Sequence, residues 1–488
     1  MSARLIQAAG VGAGIVLFVA AMVWPAIALG LRAAQAGMPA VPYHFPPGLF
    51  LRTTLLAAGG ALAALVFSLP GAFVAARVGR RRRDGLLLAL IIAPLLFPAM
   101  VYAFGWDRVL KVPGELRCIW VWATWSWPVP ALILGAGWRR LGRGRYEAAL
   151  LSARPPRAFV HGVFPILWRH VLVAWLVLFA FYLGDYTAPH GCGLLVYATE
   201  LLLAAESAHN PRAALVESLP VAALILVALL VALLVWRNRP LVDTSDDPGS
   251  AGRGGAAPWV AAALATLCVA VPIAGLLRTV PLVASVRETL ATYSGEIGAS
   301  VGVAAAGGIA TMLMGAALAA LPRMRGVALA WALVWAALPG ALIGSAVVAA
   351  YLPVPLVYDH WGIMAIGYVA RFGWIGIAIG VLAQAGVGRA QRDAARADGA
   401  GAVTVAWRVA LAGNLPTLGV GALVIAALCL SEAATTALVR VPAVYPLSLI
   451  LIESFHRFED TIMAGMSVLL VGAALPGALL VIVAARRE

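Results

Sequence analysis

The chain has 488 residues, of which 63% are hydrophobic and only 11% are charged, and its formal net charge is +14. A water-soluble protein of this length carries far more polar surface, so the composition excludes that class. The positive charge is not a sign of nucleic-acid binding, because the sequence holds no soluble domain to carry it.

Apolar segments, most of them long enough to cross a bilayer, recur along the whole chain. Because lipid offers the backbone no hydrogen-bonding partners, each is expected to be a helix. The fold predicted is all-α integral membrane, with about twelve transmembrane helices. They are predicted at residues 5–31, 53–76, 85–105, 119–138, 171–185, 214–236, 257–278, 298–321, 327–352, 362–386, 415–438 and 461–485.

The basic residues are distributed unevenly between the two sides of this twelve-helix arrangement. Of the 35 lysines and arginines, 24 fall on one side and ten on the other, and Arg371 lies inside a segment. Cytoplasmic loops are enriched in basic residues, so the richer side is predicted to be cytoplasmic. Both termini then lie in the cytoplasm, and the first apolar segment is expected to be a retained helix.

Two stretches of the chain repeat each other at a distance of about half its length. Acidic-Ala-Ala sequences follow the fourth and tenth segments, in basic loops, with the acids 246 residues apart. Two further acids, near the ends of the next segments, are 247 residues apart. These residues are Glu147, Ala148 and Ala149, then Asp393, Ala394 and Ala395, and finally Asp185 and Glu432.

This register predicts two homologous membrane domains, residues 1–236 and 258–488, joined by a cytoplasmic linker at 237–257. The linker is the only long stretch rich in Gly, Ser, Pro and charge. Because each half holds an even number of predicted helices, the two six-helix repeats are expected to be parallel.

The repeated loops resemble those of the membrane subunits of bacterial ABC importers. That family has Glu-Ala-Ala, a glycine soon after it, and an apolar stretch that ends near a proline. The second loop keeps Gly399 but has Ala412 where proline is usual, whereas the first keeps Pro165 but has Ala153 in place of the glycine. Two fused domains are most similar to the iron(III) and thiamine branch, in which an acid recurs at the positions of Asp185 and Glu432.

The resemblance implies a permease subunit in the bacterial cytoplasmic (inner) membrane. Two copies of a separate ATPase subunit are expected to dock on loops 146–165 and 392–412, and an external binding protein to deliver the substrate. Ferric iron is the substrate predicted, and thiamine, a polyamine or a phosphonate are alternatives. The chain has no GxxxxGK[ST] sequence and one lysine, Lys111, so we expect no enzymatic activity of its own. No cofactor or metal site is predicted.

Charged side chains inside the predicted helices are the candidates for the transport pathway. Acids at this depth are costly, so Asp185 and Glu432 are predicted either to line the pathway or to cap and pair structurally. Arg371 is expected to pair with one of these acids or to contact substrate. Of the four cysteines, Cys118 and Cys192 fall near the predicted outer side, where a disulfide is an alternative to two free core thiols.

Two other classes of protein are alternatives. A secondary transporter of the major facilitator type also has two six-helix halves, but it does not need two acidic-Ala-Ala loops. A membrane scaffold or integral enzyme is the third alternative, although the seven histidines are scattered and form no ligand or nucleophile pattern.

Overall fold

Helices account for nearly all of the chain that the structure describes. The structure is a computed structural model, and it describes residues 3–36, 46–77, 82–140, 151, 154, 157, 159–208, 211–236, 256–278, 281–385, 387–442 and 444–484. Within these residues, the one strand-like pairing is an isolated bridge between Val441 and Val444.

The helices of the first half of the chain, with π-helical turns at Val19–Val23 and Phe159–Val163, are the following. They are α1 (Ala3–Phe18), α2 (Trp24–Gln35), α3 (Pro47–Ala75), α4 (Arg82–Ile92), α5 (Ala99–Val109), α6 (Gly114–Ser126), α7 (Pro128–Arg140), α8 (Phe164–Leu183), α9 (Thr187–Gly191), α10 (Tyr197–Ala208) and α11 (Pro211–Trp236).

The second half has a π-helical segment at Val405–Leu411 and the following helices. They are α12 (Ala257–Leu277), α13 (Leu282–Ala320), α14 (Pro322–Ala336), α15 (Gly340–Tyr351), α16 (Pro355–Tyr358), α17 (Gly362–Ala385), α18 (Arg389–Ala397), α19 (Ala402–Thr404), α20 (Leu415–Ser431), α21 (Ala434–Val439), α22 (Leu447–His456) and α23 (Asp460–Ala484).

The length and apolar character of these helices make the chain a multi-pass membrane protein. Among the described residues, six helices are long and apolar enough to cross a membrane, or up to ten if each bent pair counts as one crossing. All twelve predicted segments overlap helices. Three coincide with bent pairs and two with shorter apolar helices, and the segment 415–438 covers α20 and α21, which are separate helices. A count of twelve crossings therefore stays a prediction.

Two of the bends occur where a proline precedes the second helix of the pair. The α4–α5 pair bends by 88° and the α14–α15 pair by 113°. Pro98 is the N-cap of α5, and Pro339 is the N-cap of α15. A proline lacks the N–H that would continue the preceding helix, so each new helix starts in a new direction.

The chain divides into two compact units, which we call unit 1 and unit 2. Unit 1 is Met1–Pro46, Ala198–Ala223 and Thr279–Leu480, and unit 2 is Pro47–Tyr197, Leu224–Arg278 and Val481–Glu488. The first helix of each sequence half thus packs with residues of the other half. A repeat in sequence and a unit of packing need not coincide, and the predicted boundaries at 236 and 258 stay a prediction. Of the predicted linker, residues 237–255 lie outside the described part.

Unit 1 is built on close contacts between helix backbones. A Cβ atom added at Gly315 of α13 would lie 2.0 Å from the carbonyl oxygen of Gly376 in α17. On the other side of α13, a Cβ at Gly14 of α1 would lie 2.1 Å from the Cβ of Ala317. Small residues let membrane helices approach closely enough for dispersion contacts to replace contacts with lipid.

Unit 2 also has close contacts between helix backbones, and its core is richer in tryptophan. A Cβ added at Gly275 of α12 would lie 2.2 Å from the carbonyl oxygen of Gly105 in α5. The Trp122 ring of α6 stacks on Tyr182 of α8, with centroids 4.5 Å apart. Trp127 is fully buried in a cluster with Val74 and residues of α7 and α12.

Candidate functional site

The helix that carries the second acidic-Ala-Ala sequence is short, exposed and closed by a glycine. Asp393, Ala394 and Ala395 lie in α18, and Gly399 follows with φ of +81°, in the left-handed region. The N–H of Gly399 bonds to the carbonyl of Arg396, and the N–H of Ala400 bonds to that of Ala395. This is a Schellman cap, which favours glycine at the left-handed position. Gly399 therefore forms the left-handed turn that ends α18.

The face of α18 that points away from the protein is made of small and charged residues. Ala390, Ala394 and Ala397 recur at helical spacing, and all three are exposed. Asp393 forms an ion pair of 3.6 Å with Arg396, and both side chains are more than half exposed. An exposed pair of this kind contributes little to stability, so Asp393 is free to exchange its partner.

Side chains and backbone tie the chain around α18 to the end of the long helix α17. Gln384 donates its amide to the carbonyl of Ala406 at 2.9 Å, and Arg392 donates to the carbonyl of Gln384. Asn414 donates to the carbonyl of Ala410 at 2.7 Å and to that of Ala383 at 3.2 Å. A force applied to residues 389–414 would therefore reach α17 through hydrogen bonds that hold both.

The first loop can be compared with the second only in part. Glu147, Ala148, Ala149 and Ala153 lie outside the described residues, and their predicted role stays a prediction. The end of that loop is described, and it is a π-helical turn at Phe159–Val163 that leads into α8. The second loop holds a π-helical segment too, at Val405–Leu411, before α20. The first residues of the two segments are 246 apart, the same register as the acids.

Asp185 is buried where the chain leaves α8, and its carboxyl group is surrounded by neutral donors. Trp122 donates its indole N–H to Oδ2 at 2.8 Å. Thr187 donates its backbone N–H at 2.9 Å and its hydroxyl at 2.8 Å to Oδ1. Since Thr187 is the first residue of α9, Asp185 satisfies an N–H that has no partner within that helix.

Glu432 occupies the corresponding place, where the chain leaves α20. Its Oε1 accepts the backbone N–H of Thr435, in the first turn of α21, at 2.9 Å. Its Oε2 lies 3.4 Å from Nε of Arg371, with both side chains less than a fifth exposed. The pairing predicted for Arg371 is therefore present, and its partner is Glu432.

These contacts favour the structural alternative for the three charged residues. Asp185 and Glu432 lie outside the helices predicted to contain them, because α8 ends at Leu183 and α20 at Ser431. Asp185 follows a helix of 20 residues, about 30 Å long, rather than lying partway along it. Each acid caps the short helix that follows, and the predicted pathway role of Asp185, Glu432 and Arg371 stays a prediction.

A cavity lies elsewhere, within unit 1. Its volume is about 910 Å³, and its lining comes from α2, α10 and α11 of the first sequence half and from α15, α21 and α22 of the second. Six of the lining residues are arginine, glutamate or histidine, and sequence reasoning assigned none of them to a site. They are Arg32, Glu206, Arg440, Glu453, His456 and Arg457.

Part of this charge is neutralised within the cavity wall. Glu453 accepts a hydrogen bond from the hydroxyl of Tyr445 at 2.9 Å and forms an ion pair with Arg457. Burial and the bond to Glu453 raise the pKa of Tyr445 above its ordinary value. The guanidinium carbon of Arg440 lies 5.8 Å from the centroid of the Tyr445 ring. Among the described residues, neither Arg440 nor Arg32 forms an ion pair with a carboxylate.

No group of three or more His, Cys, Asp or Glu side chains in the described part of the chain could hold a metal ion. Cys118, Cys192, Cys268 and Cys429 are buried free thiols.

No protein-family model, no curated protein and no solved structure matches this chain significantly. A functional assignment therefore depends on its own residues.

Proposed function

We propose that this chain is the permease subunit of a binding-protein-dependent ABC importer. The observation that carries the proposal is the exposed, glycine-capped α18. Arg392 of α18 donates to the carbonyl of Gln384 at the end of α17, and Gln384 in turn donates to Ala406 in the π-helical segment that follows α18. A partner that moves α18 would move a helix of membrane-spanning length with it. The acidic-Ala-Ala sequence within α18 is the part of the chain that most resembles the ATPase-contacting loops of such permeases.

Corresponding features in the two sequence halves support the further proposal of two parallel six-helix repeats. The N-cap prolines of α5 and α15, the π-helical turns and the capping acids occur in the same order in each half. A fourth pair joins them: the N–H of Tyr197 bonds to Oγ1 of Thr53, and the N–H of Leu447 bonds to Oγ of Ser300.

In this mechanism two copies of an ATPase subunit dock on residues 146–165 and 392–412. ATP binding draws the ATPase subunits together, and the attached helices tilt so that the pathway alternates between the two sides of the membrane. Both termini are cytoplasmic in a bacterial inner membrane, and an external protein delivers the substrate. Ferric iron is the cargo proposed from the resemblance, with thiamine, a polyamine or a phosphonate as alternatives.

The test is reconstitution of the full-length chain with the candidate ABC ATPase subunits of its source. Gly399→Asp should abolish ATPase association or its stimulation while the permease stays folded and monodisperse. The control is Gly48→Asp, which adds the same side chain in open space at an exposed glycine outside both proposed docking segments. Normal association and stimulation in the Gly399→Asp complex would refute the proposed docking site.

A further inference from the structure

The cavity in unit 1 has an arginine from each half of the sequence that pairs with no carboxylate in the described part of the chain. Three arginines line it, Arg32, Arg440 and Arg457, against two glutamates. Because Glu453 already pairs with Arg457 and bonds to Tyr445, its carboxylate is occupied. Of the two carboxylates that line the cavity, only that of the exposed residue Glu206 then remains to offset Arg32 and Arg440.

We infer that this cavity is a binding site for a small oxyanion, of the phosphate, phosphonate or carboxylate class, held by Arg32 and Arg440. A guanidinium group presents N–H donors in a planar fork that matches the oxygens of such anions. The volume of about 910 Å³ is within the range of small-molecule sites. The inference rests on the proposed function, for which it supplies the chemical class of the cargo.

The same charges count against the other cargoes. Thiamine and polyamines are cations, and a cation in this cavity would meet Arg32 and Arg440 with only Glu206 to offset them. Bare ferric iron is a hard cation that needs several oxygen ligands, which the uncommitted side chains do not provide. Iron would fit here only as a complex whose chelating anions carry net negative charge.

The position of the cavity fits a transport role under the proposed topology. Arg32 ends the first predicted crossing, and Arg440 follows the eleventh, so both lie at the outer ends of their segments. The wall combines residues of both sequence halves within unit 1, at the side from which the proposed external protein would deliver cargo.

Calorimetry on the full-length chain in phosphatidylcholine nanodiscs tests the inference directly. Inorganic phosphate, methylphosphonate, citrate and ferric citrate are the anionic probes, and spermidine and thiamine are the cationic ones. We expect at least one anion to bind and both cations to fail. Arg32→Gln and Arg440→Gln should each weaken that anion about tenfold, the typical effect of one charge-assisted hydrogen bond. Binding should also weaken as salt is raised.

Two further variants separate local from general effects of charge. Arg287→Gln removes an exposed arginine that does not line the cavity, on the same predicted side, and should change affinity by no more than about twofold. Glu206→Gln removes the opposing charge and should tighten anion binding about twofold to fivefold. Equal weakening by Arg287→Gln, or tighter binding of spermidine than of any anion, would overturn the inference.

An anionic lipid headgroup carries the same phosphate chemistry, and a second set of nanodiscs that contain phosphatidylglycerol distinguishes the two sources. Phosphatidylglycerol retained by the native chain and lost from Arg440→Gln, with no soluble anion bound in either set, would overturn the assignment to cargo. The same preparations are assayed for ATPase association. Absent anion binding with intact ATPase coupling overturns only this inference, whereas anion binding without any ATPase partner overturns only the proposed function.

Discussion

Trp122 of α6 donates its indole N–H across 2.8 Å to the buried carboxyl group of Asp185, in the link between α8 and α9. In the second half of the chain, the acid at the same register, Glu432, has an arginine as its partner. The two halves thus keep an acid at the same break between helices, but a neutral hydrogen-bond donor contacts the first acid and a cation contacts the second.

The hydrogen bond from Trp122 to Asp185 gives the first prediction. Trp122→Phe keeps a ring that can stack on Tyr182 but removes one of the donors to Asp185, so unfolding should become easier by about 2 kcal/mol. Trp259→Phe is the matched control, because the Trp259 side chain is 79% exposed. Thermal unfolding in detergent measures both, and an equal loss in the two variants would contradict a special role for the Trp122–Asp185 bond.

The ion pair in the second half predicts strong energetic coupling between Arg371 and Glu432. Arg371→Met alone leaves Glu432 without its cation in a poorly hydrated position and should cost about 3 kcal/mol. Adding Glu432→Gln should recover part of that loss, because the glutamine keeps an oxygen for the N–H of Thr435. A double-mutant cycle of unfolding free energies measures the coupling. Strictly additive effects would mean that the pair does not interact.

A third prediction concerns the hydroxyl groups that receive the N–H groups of Tyr197 and Leu447. Thr53→Val and Ser300→Ala each leave one of these N–H groups without a partner in a buried position, at a cost of about 1–3 kcal/mol. Thr54→Val is the control, because its hydroxyl bonds only to the carbonyl of Phe50 in its own helix. If the repeats are equivalent, Thr53→Val and Ser300→Ala should cost similar amounts in the same unfolding assay.

The left-handed turn at Gly399 predicts an effect of adding a single methyl group. Gly399→Ala meets no neighbouring atom, so its expected cost of about 1–2 kcal/mol comes from the backbone alone. Gly401→Ala is the control, because Gly401 has φ of −64° and open space around it. Hydrogen exchange of residues 389–400 should become faster only in Gly399→Ala. ATPase stimulation in the reconstituted complex should fall in the same variant.

The two proposed docking loops are expected to contribute unequally. Reversing the charge by Asp393→Lys should lower substrate-stimulated ATP hydrolysis more than Glu147→Lys, because the second loop keeps the glycine of the family pattern. The Asp393–Arg396 pair is exposed and worth at most about 1 kcal/mol, so a loss of folding should not obscure the result. Equal defects, or a larger one from Glu147→Lys, would show that the first loop is not the weaker contact.

Local chemistry made some of these features predictable from the sequence. The helices follow from apolar length, and the turn at Gly399 follows from a glycine placed after a run of helix-favouring alanines. The sharp bends do not follow from proline alone. Pro70, Pro220 and Pro272 lie inside continuous helices, whereas Pro98 and Pro339 begin new ones. Neighbouring helices decide which prolines break a span.

The cavity was not predictable from local chemistry. Arg32 and Arg440 are more than 400 residues apart, and in the sequence each reads as an ordinary loop charge at the end of an apolar segment. Only the packing of α2 with the second half of the chain brings them to one cavity. The partners of Asp185 and Glu432 divide in the same way: the capped N–H groups are two or three residues away, whereas Trp122 and Arg371 come from other helices.

The interleaving of the two units has a consequence for how the protein is made. Apart from its last eight residues, unit 2 is complete once the ribosome has passed Arg278, whereas unit 1 needs the chain as far as Leu480. The opening segment α1–α2, whose packing partners include Ala317, must therefore wait in the bilayer through the synthesis of nearly 300 further residues. Its many outward-facing aliphatic side chains, such as those of Val16, Ile27 and Leu31, suit a helix that spends this interval surrounded by lipid.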